Sequence, residues 1–412
     1  MARTKFTKAE ISWILYDVGN SALVLLATSV IPIYFNYLAA KDPSVQDVAV
    51  GAWGLAETIA SLIIALLMPI LGSIADMKGM RKKFIVGTVG IGAIATIAMG
   101  FPSNWLPFLI VYVISAVMLN SSFVFYDAFL VDATTDERMD EVSSQGFAWG
   151  YVGSCIPFVV CLLVVLNAEK LGLTMQTAML IAFTITTAWW VAFTIPMVKN
   201  VEQKSYKPYE PHAIARAITG IGTTLKNIWA DEALRWFILA YFFYIDGVHT
   251  VIKMATSYGA NLGIEGTQLV LALLVTQFVA WPSSIIYGRL GRKFGTKKMI
   301  LVGVIGYFCI TLFAAFFLRT ATEFWILAIC VGLFQGGIQA LSRSEFGKLC
   351  PKEHANEYFG FFDIFGKYAA IMGTGLVSAF TFLTGNPSLG VLSIALLFII
   401  GFAIMLKVPD HR

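Results

Sequence analysis

The sequence predicts an all-α membrane protein with twelve transmembrane helices arranged as two six-helix bundles. The first observation is that twelve apolar stretches, each about long enough to cross a bilayer, lie between residues 11 and 407. The second is the composition, because 58% of the residues are hydrophobic and only 13% are charged, whereas a soluble domain carries roughly 25% charged residues. The third is an internal repeat that relates the two halves of the chain.

The spans follow one another with short connections, except in the middle of the chain. We predict them at 11–38, 49–72, 84–101, 105–130, 143–167, 174–198, 234–257, 266–288, 298–318, 323–347, 357–384 and 387–407. The longest connection, 199–233, is polar and is predicted to be a cytoplasmic linker. It divides the chain into an N-terminal bundle, 1–198, and a C-terminal bundle, 234–412.

The distribution of Lys and Arg between the loops predicts the orientation of the spans, since cytoplasmic loops are enriched in basic residues. With the N-terminus inside, almost every Lys and Arg of the loops lies on the cytoplasmic side. The outside receives only Lys41, Lys170 and Arg319. Both termini are therefore expected in the cytoplasm.

The connections between spans 2 and 3 and between spans 8 and 9 repeat one pattern 216 positions apart. Three glycines recur at this offset: Gly72, Gly79 and Gly87 match Gly288, Gly295 and Gly303. The basic pair Arg81 and Lys82 recurs as two lysines. Two six-helix halves in the same orientation are typical of transporters that bind a solute between the halves. They count against a receptor or a membrane enzyme, which needs no such repeat.

The first copy of this connection, Gly72-x-x-x-Asp76-x-x-Gly79-x-Arg81-Lys82, resembles the signature loop of the major facilitator superfamily. Further blocks are similar to the bacterial relatives of the autophagy-related vacuole effluxers: 16–22, 125–130 with 142–151, 244–250, and 337–344 with 359–363. The resemblance implies the major facilitator fold, alternating access and the cytoplasmic membrane of a bacterium. Because the yeast member is associated with amino-acid efflux, it also favours an amino acid or similar zwitterion as solute, and export.

Span 10 carries three long polar side chains four residues apart, Gln335, Gln339 and Arg343. This spacing places them on one helical stripe. They could offer amide and guanidinium donors to an anionic or zwitterionic solute. Hydrogen bonding between helices, with Arg343 reaching toward the interface, is the alternative.

Span 7 carries Asp246, His249, Thr250 and Lys253 on one face. A carboxyl group in the middle of a span is costly unless it is neutral or paired. Asp246 could contact a substrate amine or carry a proton, and His249 and Thr250 could line the same site. A structural contact of Asp246 with Thr250 or Lys253 is the alternative for the carboxyl group, and a hydrogen-bonded packing role is the alternative for His249.

Spans 1, 2 and 4 supply the remaining polar candidates. The predicted solute-binding residues here are Asp17, Asn20, Asn120 and Tyr126. The predicted proton-coupling carboxylates are Asp246, Glu57 and Asp127, and polar packing is the alternative for Glu57. Because titratable carboxylates lie in the spans, we expect proton coupling, as a symporter or an antiporter.

A cytoplasmic gate is predicted from charges near the inner ends of the spans. Its members are Asp76, Arg81, Asp127, Arg343, Asp363 and Lys367. Asp76 can cap a facing helix and pair with Arg81, and the resemblance suggests span 11 as its partner. Asp363 and Lys367 could instead pair within one helix. The acidic segment 131–142 either faces the basic connection between spans 8 and 9 or is simply solvated.

Catalytic and cofactor motifs are not found in the sequence. There is no phosphate-binding Walker loop and no dinucleotide fingerprint, and the five cysteines, without metal-ligand spacing, are expected to be free and buried. We therefore expect no enzyme activity, no cofactor, no metal and no nucleic acid. The expected partners are a small solute, protons and the lipid bilayer, and the chain is expected to be monomeric. An exporter of amphipathic drugs or lipids, or a non-transporting sensor, remains the alternative function.

Overall fold

The computed structural model describes residues 5–43, 45, 48–209, 211–261 and 263–409, without the side chains of 256–258, 260, 261, 267 and 367–370. Within these residues the secondary structure is helical, apart from one isolated bridge between Met77 and Lys207. The predicted all-α class is therefore confirmed. Lys367, a predicted gate residue, has its side chain outside the described part.

The helices follow the predicted spans closely. Their bounds are α1 Lys8–Ala39, α2 Ala49–Ala75, α3 Met80–Ala98, α4 Trp105–Ala128, α5 Leu130–Ala133, α6 Asp136–Leu166, α7 Met175–Asn200, α8 Ala213–Ala230, α9 Glu232–Asn261, α10 Gly266–Phe294, α11 Thr296–Phe316, α12 Ala321–Leu349, α13 Ala355–Thr384 and α14 Pro387–Met405. A short 3₁₀ helix, Lys352–His354, precedes α13. Spans 1 to 12 thus correspond to α1 to α4, α6, α7 and α9 to α14.

Ten helices of the described chain are long and apolar enough to cross a membrane. They cover every predicted span except two. One of these is α3, whose first turn contains Arg81, Lys82 and Lys83, and the other is α13, which includes the undescribed side chains of 367–370. Large apolar side chains such as Ile94 remain exposed, as expected for helices that face lipid.

The connection 199–233, predicted as a polar linker, contains the 18-residue helix α8. The prediction of buried cysteines needs correction. The cysteines are free as expected, but Cys309 is exposed and Cys330 is half-buried. Cys309 lies on a span whose outer surface is not covered by other helices, so an apolar neighbourhood in the sequence did not ensure burial.

Contacts divide the chain into two compact units. Unit 1 consists of Met1–Thr134, Trp149–Ile218 and Lys352–Gly360. Unit 2 consists of Thr135–Ala148, Thr219–Pro351 and Phe361–Arg412. Each unit therefore contains a short segment from the opposite half of the sequence, namely the beginning of α13 in unit 1 and the beginning of α6 in unit 2.

In unit 1, α1 packs on α7, α2 packs on α4, and α3 packs on both α4 and α7. Aromatic side chains fill the space between α1, α4 and α7. Trp13, Tyr16 and Trp190 are fully buried, and Trp190 donates from Nε1 to the hydroxyl of Tyr16 over 3.4 Å. These large rings hold the α1 side chains in fixed positions.

Unit 2 repeats the same order of pairings. Its helix α9 packs on α14, α10 packs on α12, and α11 packs on both α12 and α14. Tyr244 of α9 lies against Gly401, and its hydroxyl is 2.7 Å from the Ser342 hydroxyl of α12. The same order of helix pairs in both units agrees with the internal repeat in the sequence.

The repeated glycines at the start of α3 and α11 have a conformational reason. Gly79 precedes α3 with a φ of 72°, and Gly295 precedes α11 with a φ of 100°. Both angles lie in the left-handed region, which glycine adopts without steric cost. The tight turn between consecutive helices therefore requires glycine at the same place in each half.

Candidate solute and gating sites

In unit 1, Asp17 and Tyr126, predicted from separate spans, form a direct contact. The Tyr126 hydroxyl donates to Oδ2 of Asp17 over 2.8 Å, and Nδ2 of Asn20 donates to Oδ1 over 3.4 Å. All three side chains are buried. The Tyr126 ring stacks on Trp13 with centroids 4.4 Å apart. This packing fixes a carboxyl group, an amide and a phenol at one place.

The other unit 1 candidates lie in different environments. Asn120 is half-buried and donates to the carbonyl of Ala116 in its own helix over 2.7 Å. Glu57 is exposed and accepts a hydrogen bond from the Tyr112 hydroxyl. Asp127 is half-buried. The structure therefore brings Asp17, Asn20 and Tyr126 together, and it gives Glu57 a phenol partner that the sequence did not indicate.

Asp76 binds the beginning of α13 within unit 1. Its Oδ1 accepts from the backbone N–H of Asn356 over 2.9 Å and from the Asn356 side chain over 2.7 Å, and its Oδ2 accepts from the N–H of Glu357 over 3.0 Å. The first N–H groups of a helix lack partners within the helix and favour a negative group. Asp76 thus makes the contact with span 11 that the resemblance suggested.

Arg81 completes this buried cluster. It pairs with Asp76 over 3.2 Å and with Asp132 over 2.5 Å, and all three side chains are fully buried. The Arg81 guanidinium also donates to the carbonyl of Ala128 over 3.1 Å. Burial raises the pKa of Asp76, while Arg81 and the helix N–H groups act in the opposite direction. Removing either partner would leave a buried charge uncompensated.

His354 lies beside the same cluster. Its Nδ1 is 3.7 Å from the Glu357 carboxylate, and Asp76 lies close enough that the three side chains could converge on one point. The hydrogen bond to Glu357 raises the pKa of His354 above its ordinary value, burial opposes this effect, and the negative charge of Asp76 adds to it. Protonated His354 therefore stabilises the cluster.

We expect the His354→Gln variant to lose stability in acid and not in base. Because the pKa of His354 is raised in the folded protein, its contribution is fully present below the ordinary value of about 6.5 and is lost as pH rises through the raised pKa. The melting temperatures of wild type and variant, measured from pH 5.5 to 8.5, should therefore converge at high pH. A difference that does not change with pH would contradict this assignment.

Gly72 allows α13 to approach α2. A Cβ at Gly72 would lie 2.6 Å from the carbonyl oxygen of Asn356 and 2.9 Å from its carbonyl carbon. We expect Gly72→Ala to displace this backbone and to lower both the melting temperature and the transport rate. Gly87 offers a matched control, because a Cβ there meets nothing within 4 Å. Equal effects of Gly72→Ala and Gly87→Ala would show that the close approach is unimportant.

In unit 2, Asp246 is fully buried and only partly hydrogen-bonded. Its Oδ1 accepts from the backbone N–H of Gly373 over 2.9 Å and from the Thr250 hydroxyl over 3.2 Å. Its Oδ2 is buried and has no hydrogen-bond partner among the described residues. The structural contact with Thr250, the alternative to a solute or proton role, is therefore present, and it occupies only one of the two carboxyl oxygens. His249 is half-buried and Lys253 is exposed.

Arg343 binds the beginning of α6 within unit 2. Its Nε donates to the Ser143 hydroxyl and its Nη2 to the Ser143 carbonyl, each over 3.0 Å. The guanidinium carbon lies 4.3 Å from the centroid of the Phe147 ring, a favourable cation–π distance. Gln335 and Gln339, on the same stripe of α12, are half-buried. Asp363 is also half-buried.

Asp140 is a site residue that the sequence analysis did not single out. Its Oδ2 accepts from the Thr296 hydroxyl over 2.8 Å, and its Oδ1 accepts from Lys348 over 2.7 Å and from the Ser344 hydroxyl. Glu141, the next residue, pairs with Arg292 over 2.9 Å. The acidic segment 131–142 therefore does contact the basic connection between spans 8 and 9.

The signal that could have identified Asp140 is the internal repeat. At the offset of 216, Asp140 corresponds to Asn356 and Gly72 corresponds to Gly288. In unit 1, Gly72 faces Asn356, and in unit 2 a Cβ at Gly288 would lie 2.6 Å from Ser144 and 3.0 Å from the carbonyl oxygen of Asp140. In both units a glycine allows two helices to approach closely, but the polar residue at this contact is Asn356 in unit 1 and Asp140 in unit 2.

The family of the chain follows from a sequence comparison. The profile of the family described as "Vacuole effluxer Atg22 like" matches residues 54–136 and 131–412. The chain belongs to this family. It is 46% identical to an uncharacterised MFS-type transporter, YxiO of Bacillus subtilis, over 99% of this chain and 96% of that protein. It is also 30% identical to the autophagy-related protein 22 of Saccharomyces cerevisiae over 36% of this chain and 30% of that protein.

Solved structures agree on the fold. The human organic anion transporter MFSD10 superposes with a TM-score of 0.75 at 11% identity, covering 96% of this chain and 98% of that one. The Escherichia coli fucose:proton symporter FucP superposes with a TM-score of 0.72 at 15% identity and 98% coverage of both chains. The predicted major facilitator fold is therefore confirmed. The Atg22-like chain is an integral membrane protein of a transporter family and not an enzyme, as predicted. The number of membrane crossings and the side of the membrane on which the termini lie stay predictions.

Proposed function

We propose that this Atg22-like protein is a proton-coupled secondary transporter that moves a small polar solute by alternating access. An amino acid or similar zwitterion is the favoured solute, and export agrees with the effluxer description of the family. In this proposal the bundles 1–198 and 234–412 work as a monomer in the cytoplasmic membrane of a bacterium. Both termini and the linker 199–233 lie in the cytoplasm.

The observation that carries the proposal is the buried carboxyl group of Asp246. A carboxylate in a transmembrane helix is costly unless it is protonated or paired. Backbone and hydroxyl donors occupy Oδ1, whereas Oδ2 is buried and has no hydrogen-bond partner among the side chains that the structure describes. This oxygen can hold a proton or accept a hydrogen bond from the ammonium group of a solute, and the exchange of one for the other would couple the two movements.

The solute-binding residues proposed here supply complementary groups for a zwitterion. Asp17 and Asp246 offer acceptors for an ammonium group, and Arg343 offers donors for a carboxylate. The remaining proposed contacts carry amide, hydroxyl or imidazole groups: Asn20, Asn120, Tyr126, His249, Thr250, Gln335 and Gln339. Glu57 and Asp127 are further proton-coupling candidates.

The proposed cytoplasmic gate consists of two sets of contacts that join distant parts of the sequence. Asp76 and Arg81 hold the beginning of α13 in unit 1, and Arg343 holds the beginning of α6 in unit 2. Asp127, Asp363 and Lys367 are proposed as further members. Formation and release of these contacts would accompany the change from one access state to the other.

The proposal can be tested with purified protein in liposomes and a panel of labelled amino acids and other small zwitterions. We expect at least one solute to accumulate when a pH gradient is imposed and to lose accumulation when a protonophore dissipates the gradient. Transport of amphipathic dyes alone, or binding without transport, would replace this proposal with the exporter or the sensor alternative.

We expect Arg343→Lys to lower the transport rate nearly as much as Arg343→Ala. A lysine keeps the charge, but its single nitrogen does not replace the two guanidinium nitrogens that donate to Ser143. Hydrogen bonds to charged groups contribute roughly 1.5–3 kcal/mol each. The rate should fall by about tenfold or more. Ser143→Ala, which removes only the hydroxyl contact, should have a smaller effect. Wild-type rates in both Arg343 variants would remove this residue from the gate and from the solute site.

A further inference from the structure

The linker helix α8 carries an apolar stripe that the transport proposal does not use. Five large apolar residues lie on one helical face at spacings of four, three, four and four: Ile214, Ile218, Ile221, Leu225 and Trp229. Ile214 is 63% exposed, Ile218 is 53% exposed and Trp229 is 42% exposed. Such a stripe on a helix outside the spans indicates contact with a partner.

The stripe is not the face through which α8 packs on the rest of the chain. The buried positions of the helix are Ala217, Thr224 and Ile228, which lie along a neighbouring face. Thr219 and Thr223 lie on the side away from the stripe and are exposed. α8 therefore has a face packed on the protein, an apolar face that is exposed at Ile214, Ile218 and Trp229 and half-buried at Ile221 and Leu225, and a polar face.

The charge of α8 identifies the partner. The helix contains two basic residues, Arg216 and Lys226, and no acidic residue. Lys226 lies three residues before Trp229, so the two side chains are neighbours on the helix surface. A lysine at the border of an apolar stripe can extend its ammonium group to lipid headgroups. The cytoplasmic leaflet carries anionic lipids, which attract basic residues near the membrane.

We propose that α8 lies in the plane of the cytoplasmic membrane surface, with its apolar stripe between headgroups and acyl chains and with Lys226 at anionic headgroups. This position rests on the cytoplasmic side of the linker in the proposed function. A helix with one apolar face that includes a tryptophan, a polar face and excess positive charge binds bilayers in this manner. The bilayer surface would remove the stripe from water, and the linker would be attached to the membrane along this helix.

Spin labels on opposite faces of α8 test this position without any solute. In a variant whose native cysteines are replaced, Ile218→Cys and Thr223→Cys are labelled separately, and each protein is reconstituted into nanodiscs with and without phosphatidylglycerol. We expect the label at 218 to be accessible to oxygen and protected from a water-soluble nickel chelate, and the label at 223 to be accessible to the chelate. Phosphatidylglycerol should further protect position 218.

Two results would overturn the proposal. Equal access of the nickel chelate to both labels would place the stripe in water, and protection of position 218 from both reagents would mean that protein covers it. A second measurement uses protein with its native cysteines. Brominated lipids should quench part of the tryptophan emission of the wild type and a smaller part of the emission of Trp229→Phe. Equal quenching of the wild type and of Trp229→Phe would contradict the proposal. Because neither measurement involves transport, a failure of this proposal can be distinguished from a failure of the transport proposal.

Discussion

The Asp246→Asn variant is expected to lose gradient-driven accumulation of the solute completely. For one proton per solute, a gradient of one pH unit supports accumulation of about tenfold, since one pH unit corresponds to about 1.4 kcal/mol. An amide cannot bind and release this proton, so the pH gradient should no longer drive accumulation in the variant. The two donors to Oδ1 can still bind the amide oxygen, and the fold should therefore be preserved. The measurement is uptake of the identified solute into liposomes at an imposed pH gradient.

Exchange of solute without a gradient provides the internal control for this variant. Asp246→Asn should retain exchange if Asp246 carries the proton, and it should lose exchange as well if the carboxylate binds the solute. Asp231→Asn is the matched carboxylate control, because Asp231 is an exposed residue that caps α9 through the N–H of Leu234. Wild-type accumulation in Asp246→Asn would exclude Asp246 from coupling.

The Asp76→Asn variant is expected to have the second large effect, through the gate. The amide would place a donor opposite the N–H of Asn356 or Glu357 and would leave Arg81 paired only with Asp132. Breaking a buried ion pair costs about 3–5 kcal/mol, so the population of the state that holds this contact should fall by about 100-fold or more. We expect a corresponding loss of transport rate in liposomes and a lower melting temperature of the purified protein.

The internal repeat supplies a matched control at the equivalent position. Arg292 corresponds to Asp76 at the offset of 216, but its pair with Glu141 is partly exposed, with side-chain exposures of 42% and 22%. Exposed pairs contribute about 0–1 kcal/mol, so Arg292→Ala should change the transport rate little. If Arg292→Ala and Asp76→Asn have the same effect, burial of the Asp76 cluster does not explain its importance.

Much of the architecture could be predicted from the sequence, because apolar length specifies a membrane span directly. The contact of Asp76 with span 11 was implied by the family resemblance, whereas the glycines at 79 and 295 mark the turns and the loop around Asp76 indicated the pair with Arg81. Such features depend on local sequence or on a repeated pattern. The family resemblance extended these predictions to the whole fold.

The contacts of Asp140 and the exposed stripe of α8 could not be predicted in the same way. Asp140 lies in an acidic segment whose residues look alike in sequence. The internal repeat relates it to Asn356, but its contact with Lys348 follows only from the packing. In the linker 199–233, small and polar residues separate the apolar positions of α8, and no helix was predicted there. Its helical period of apolar residues, from Ile214 to Trp229, was the signal that could have identified it.

The most direct test of the account follows solute and proton movement in the same liposomes. A pH-sensitive dye is trapped inside, the solute is added without an imposed gradient, and the internal pH is recorded. We predict a pH change that depends on the solute in the wild type and is absent in Asp246→Asn. Solute movement without any pH change in the wild type would contradict proton coupling at Asp246.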